Sequence, residues 1–69
     1  MKVSARNVLK GVVKSITVGA VNSEVIIEIA PGKEISSIIT KTSCENLGLK
    51  VGKEAYAIIK ASSVIIGAD

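Results

Sequence analysis

Ser4-Ala5-Arg6-Asn7 sets a hydroxyl, a guanidinium and an amide within four consecutive residues near the start of the chain, with no carboxylate among them. A guanidinium is a planar fork of N–H donors without an acceptor, and a hydroxyl beside it adds a donor that rotates to suit its partner. The N-terminal position leaves the nearby backbone N–H groups free for a ligand. Donors without acceptors suit a small oxyanion better than a metal ion or a base pair. A second donor group, Lys60-Ala61-Ser62-Ser63, joins an ammonium to two hydroxyls, with Ala61 small enough for close backbone approach. Thr40 is a third candidate, a hydroxyl at the end of an apolar run. Taken singly, these are ordinary surface groups. Brought together at one rim or across a subunit boundary, Arg6 and Lys60 would offset the charge of a dianion, and the hydroxyls and amides would match its tetrahedral shape. In a water-poor cleft such donors gain strength as the effective dielectric falls.

Other chemistries find little support. The chain has no His and a single cysteine, Cys44, so it can build neither a zinc site of the usual kind nor an intrachain disulfide. A free thiol agrees with a reducing cytosol, and Cys44 reads as a small packing residue. Ser4 or Ser62 beside Lys60 could form a serine–lysine nucleophile pair, but no acid–base partner or oxyanion turn accompanies them, so a binding protein is expected and not an enzyme. A nucleic-acid-binding module of the OB type is the alternative. Such modules stack bases on aromatic rings over a basic groove, whereas Tyr56 is the only aromatic residue and the net charge is a mild +3. No apolar run approaches the roughly 18–20 residues of a membrane helix, and the N-terminus lacks a secretory layout. An intracellular, cytoplasmic protein without membrane or nucleic-acid partners is expected.

Stepping along the chain shows which elements must hold these groups. At 69 residues there is one domain, spanning 1–69, with a core too small for comfortable stability alone. Val, Ile, Leu and Ala are abundant on both faces of short runs, so oligomerisation is the remedy left once disulfides and metals are excluded. Residues 7–18 alternate loosely, Val8, Val12 and Ile16 against Leu9 and Val13, and predict a long first strand with a bulge or tight bend at Gly11. Val18–Asn22 reads as a connection, because Gly19 and Asn22 tolerate unusual backbone angles. A second strand follows at 23–30, with Val25, Ile27 and Ile29 on one face, and a turn at Pro31-Gly32-Lys33 leads to a third at 34–40. Thr42 with Glu45 matches a capping box, and Gly48 is a suitable stop, so a short helix is expected at about 43–47. A turn at Val51-Gly52-Lys53, a fourth strand at 54–61 and a fifth at Val64-Ile65-Ile66 complete the order. The fold class is therefore all-β with one short helix, a five-stranded OB-like Greek-key barrel, with an SH3-like barrel as the alternative.

Ser4-Ala5-Arg6-Asn7, continued by Val8-Leu9-Lys10-Gly11, resembles the signature of the molbindin (Mop) family of small molybdate-binding proteins. The similarity extends to Ile38-Ile39-Thr40, Leu47-Gly48-Leu49, Val51-Gly52-Lys53-Glu54 and Lys60-Ala61-Ser62, so it covers essentially the whole chain. Val8 stands where the family often has Gln. The resemblance implies an OB-like barrel assembled as a hexamer, a trimer of dimers. It also implies molybdate, and similarly tungstate, bound between subunits for molybdenum storage or homeostasis. Carried onto this chain, Ser4, Ala5 and Arg6 would come from one subunit and Lys60, Ala61 and Ser62 from a neighbour, with Thr40 adding a hydroxyl. A second oxyanion site near the threefold axis would fall on Gly19, Ala20, Val21 and Asn22.

The chain lacks His, the side chain whose ordinary value lies near neutrality, so molybdate affinity is expected to change little between pH 6 and 8. Calorimetric titrations across that range check this; a steep change would expose a titrating group outside the donor set.

Overall fold

Valine and isoleucine are the commonest residues in the first half of the chain, and their branched side chains favour a pleated backbone. In the computed structural model, which describes residues 1–69, they form three consecutive strands, β1 (Asn7–Val18), β2 (Asn22–Ala30) and β3 (Lys33–Thr40). A short helix, α1 (Lys41–Asn46), and a last strand, β4 (Glu54–Ile59), follow, with one 3-10 turn at Ala61–Ser63. All pairings are antiparallel, and the sheet order is β3-β2-β1-β4. Two hairpins and a fourth strand returning beside the first make a Greek key. The sheet curls into a half-barrel. β1 shapes it by serving two partners: Asn7–Val12 pairs with β4, and Val12–Val18 pairs with β2.

The expected fifth strand does not form. β4 stops at Ile59 and not at residue 61, and Val64-Ile65-Ile66 joins no ladder. Ile65 is 94% exposed and Ile66 84%. The Ala61–Ser63 turn ends the pairing, and the segment beyond it joins neither edge of the sheet, β3 or β4.

The bend in β1 also lies elsewhere than at Gly11. Val13 opposes Ile27 and Ser15 opposes Ile26, so Lys14 is the extra residue of a bulge. The bulge resolves the loose alternation of the sequence. Gly11 and Val13 are buried before it, and Ile16, of opposite parity, turns inward after it. Gly11 instead allows close approach: a Cβ there would lie 2.5 Å from the Glu28 carbonyl oxygen and 2.6 Å from Ile27 Cγ2.

α1 begins two residues earlier than its expected start, at Lys41, and its cap is Thr40 in place of Thr42. Thr40 keeps the extended backbone of β3 (φ −68°, ψ 151°), which frees its hydroxyl to reach forward to the first turn. The far end closes as a Schellman motif. Gly48, at φ +63°, donates to the Glu45 carbonyl, and Leu49 donates to that of Cys44. Thr42, Ser43, Cys44 and Asn46 are weak helix formers, so the two caps and the burial of Cys44 hold this single stretch.

The core is small. Val13, Val25, Ile27, Cys44 and Ala57 are buried, and Ile16, Ile29, Ile35, Ile39, Leu49 and Ala55 pack around them. Val25, Ile27 and Ile29 share the inward face of β2, as their alternation predicts. Ser23 joins them, with a hydroxyl that has no partner.

Gly11→Ala should lower stability by about 1–3 kcal/mol, because the Glu28 carbonyl cannot retreat without breaking the β1–β2 register. Thermal melting at fixed protein concentration reads this as a fall in Tm; an unchanged Tm would refute the close-packing role.

Candidate functional site

The Lys60 group reaches Arg6 through strand register. β1 and β4 pair Asn7 with Ile59, Val8 with Ile58 and Leu9 with Ala57. Continuing that register past the last rung sets Arg6 opposite Lys60, Ala5 opposite Ala61 and Ser4 opposite Ser62. Neither segment continues as a strand, so the two diverge from the Asn7–Ile59 rung like the arms of a fork. Between the arms lies an open cleft of about 610 Å³. Ser4, Ala5 and Arg6 line one side, Lys60, Ala61 and Ser62 the other, and Ile58 adds an apolar wall.

The fork frees backbone donors as well. The N–H groups of Ser4, Ala5, Arg6, Lys60, Ala61 and Ser62 reach no acceptor within the chain. The Ala61–Ser63 turn contributes to this, since the first N–H groups of any helical turn lack internal partners. The cleft lining contains two cationic side chains, two hydroxyls and no carboxylate.

Some of the other cations are paired with carboxylates. Lys10 Nζ lies 3.0 Å from Glu54, and Lys14 bridges Glu34 and Glu28 across β1, β2 and β3. Hydrogen bonding to Glu54, then the charges of Glu54 and Tyr56, raise the Lys10 ammonium above its ordinary value. The hydrogen bond to Glu34 and its charge do the same for Lys14. A raised lysine adds stability below its ordinary value and loses it as pH climbs past the folded one, so both pairs persist through neutrality. Lys53 Nζ caps the carbonyls of Gly48 (3.1 Å) and Leu47 (3.4 Å) at the end of α1. Arg6 and Lys60 form no ion pair with any carboxylate of the chain.

Thr40 stands apart. It does not line the cleft. Its Oγ1 accepts from the Ser43 N–H at 3.0 Å and donates to Ser43 Oγ at 2.8 Å, so the hydroxyl is engaged in capping. Its register partner is Asn22, at the start of β2. The Gly19–Asn22 connection is a tight turn in which the Gly19 N–H donates to the Asn22 carbonyl at 2.8 Å. The Val21 carbonyl accepts from Lys41, while the N–H groups of Ala20 and Val21 have no acceptor in the chain. Ile58 was not singled out from the sequence, although its spacing of two from Lys60 places both on one side of an extended strand.

No helix of the structure is long and apolar enough to cross a membrane.

Residues 3–66 match the TOBE domain family. A protein of Haemophilus influenzae named "Probable molybdenum-pterin-binding protein" is 54% identical over 69 residues, covering all of both chains. The solved structure of MopII from Clostridium pasteurianum, in an apo form, superposes with a TM-score of 0.91 at 48% identity, covering 97% of this chain and 100% of the other. The structure of the cytoplasmic molybdate-binding protein ModG with molybdate bound gives a TM-score of 0.94 at 51% identity; this chain is covered completely and spans 49% of that one.

Thr40→Ala should lower stability by about 1 kcal/mol through loss of the helix cap. A melting curve showing no loss would mean that the hydroxyl does not hold α1.

Proposed function

The chain belongs to the TOBE domain family and is akin, along its whole length, to molybdenum-pterin-binding proteins; from that premise we propose that it binds molybdate in the cleft between Ser4–Arg6 and Lys60–Ser62. The single observation that carries the site is the β1–β4 register, which brings both donor groups of one chain to the same cleft. The Arg6 guanidinium and the Lys60 ammonium offset the dianion's charge. The hydroxyls of Ser4 and Ser62 and the free amides of both arms surround its oxygens. No resident metal is required, because the oxygens of the anion meet the protein directly. Tungstate, also a tetrahedral dianion, fits the same donors.

The reading extends to a homo-oligomer, a hexamer built as a trimer of dimers. Five apolar residues are buried, while Val18, Val21, Ile38, Leu47, Val51 and Ile65 are all at least 60% exposed. That surface is more than a monomer of this size keeps in water. Because the register joins Ser4–Arg6 to Lys60–Ser62 within one chain, division of these groups between two subunits is not needed. A neighbour instead closes an open cleft, and Thr40 joins only if it arrives from another copy. Gly19, Ala20, Val21 and Asn22, with the two free amides of that turn, are the proposed second oxyanion site. The protein acts in the cytoplasm, as ModG is described to do, binding molybdate for storage and homeostasis without catalysis. A nucleic-acid role is disfavoured, because Tyr56 alone does not make a stacking platform.

Arg6→Ala should weaken molybdate binding by about 10- to 100-fold, the scale of losing charge-assisted hydrogen bonds. Isothermal titration of molybdate into wild type and variant measures it, with native mass spectrometry on the same samples for the subunit count. Equal affinities would remove Arg6 from the site, and a monomeric wild type would overturn the assembly.

A further inference from the structure

We infer that the Val64-Ile65-Ile66 segment of each chain lies as a fifth strand in the seam between β3 and β4 of a second copy. This rests on the homo-oligomer reading and names the segment and the surface that join the copies. The seam is open in one chain. β3 pairs only with β2 and β4 only with β1, so the outer backbone edges of both strands are unpaired. Two apolar hollows of about 320 and 360 Å³ run along it, and Ile27 of β2, Ser37 of β3, and Tyr56 and Ile58 of β4 line both. Ile35, Ile39 and Ala55 also line the hollows, and each packs against the core while only partly buried.

The chain carries one segment that suits this seam and has no place in its own sheet. Val64, Ile65 and Ile66 are three consecutive β-branched residues, exposed by 47%, 94% and 84%. Val64 already holds an extended backbone, at φ −84° and ψ 124°. After the Ala61–Ser63 turn the segment pairs with neither edge of its own sheet, so the seam is free to take the same segment from a second copy. A strand added at a free edge gains main-chain hydrogen bonds, and its alternate side chains enter apolar pockets. A sheet in the order β3-β2-β1-β4 closes into a five-stranded barrel when one more strand joins β3 to β4. Reciprocal exchange of such a strand makes a self-complementary, two-fold interface. Ile58 also walls the anion cleft, so the exchanged strand runs beside the cleft and ties assembly to the site.

The test uses the full chain. Chains with ¹³C-labelled isoleucine methyls and unlabelled chains are refolded together, and isotope-filtered spectra are recorded on the oligomer. Contacts between the Ile65 or Ile66 methyls of one copy and the Tyr56 ring of another are expected. An oligomer without them, or with such contacts only inside one chain, overturns the inference and leaves the homo-oligomer reading standing. Ile65→Asp changes a side chain outside the core of the single chain. It should raise the concentration at which the oligomer half-dissociates by about tenfold or more, the scale of losing one buried isoleucine. Sedimentation over a dilution series measures this, and an unchanged midpoint overturns the inference. Should Ile65→Asp fail to fold, the wild-type spectra decide between the same two results. A monomeric wild type would instead reject the homo-oligomer reading, and the inference with it.

Discussion

One strand pairing governs the site. The antiparallel register of β1 against β4 carries the second residue group of the cleft from the far end of the chain to the first. A shift of one residue would set Lys60 against a different neighbour and reverse the face of every β4 side chain. Several features defend that register. Ala55 and Ala57 are small enough to lie against Gly11 and Leu9, and the N–H and carbonyl of Val13 pair with Lys53 and Gly52 just beyond the last β4 rung. The pairing ends abruptly after Asn7–Ile59, which leaves donors for a ligand that a longer ladder would consume.

The same economy shapes the rest of the fold. A twelve-residue strand serves two partners, and its bulge at Lys14 lets residues of opposite parity face one core. A six-residue helix, four of whose residues are weak helix formers, is held between a threonine cap and a Schellman turn. The core so enclosed is small, and much apolar surface stays outside it. In a chain this short the ratio of surface to volume is high, and the proposed association would cover part of that surface. The apolar exterior and the open cleft are thus two faces of one circumstance, since covering the former is also a way to exclude water from the latter.

Three of the lysines are engaged within the chain. Lys10 and Lys14 are matched by carboxylates on adjacent strands, and Lys53 is spent on helix carbonyls. The pairs follow from cross-strand register, so they lie on the ladder itself, whereas Arg6 and Lys60 lie beyond its end. A net charge of +3 is modest, and Lys2, Lys33, Lys41 and Lys50 are unpaired as well; Arg6 and Lys60 stand out because backbone donors beside them are also free.

Much of this was legible in the residues themselves. Donor types without acceptors, in Ser4–Arg6 and in Lys60–Ser62, are local chemistry and need no fold to be recognised. The strands at 23–30 and 34–40, the Pro31-Gly32 hairpin and the Gly48 stop arise from alternation and backbone preference, which act over a few residues. Where long-range geometry mattered, local signals misled. Thr42 with Glu45 matched a capping box, yet the helix starts at Lys41 and Thr40, at the end of β3, is the cap. Gly11 suggested a bulge, yet it was the approach of Glu28 on another strand that demanded a glycine. Val64-Ile65-Ile66 has the composition of a strand, but after the Ala61–Ser63 turn it reaches neither ladder at the sheet's edges. The amino-acid sequence by itself determined which groups can hold an anion and which stretches extend. Only the tertiary structure decided that the two donor groups face each other, that Thr40 is engaged elsewhere and that the sheet stops at four strands, because pairing and register are relations between distant segments that no local propensity encodes.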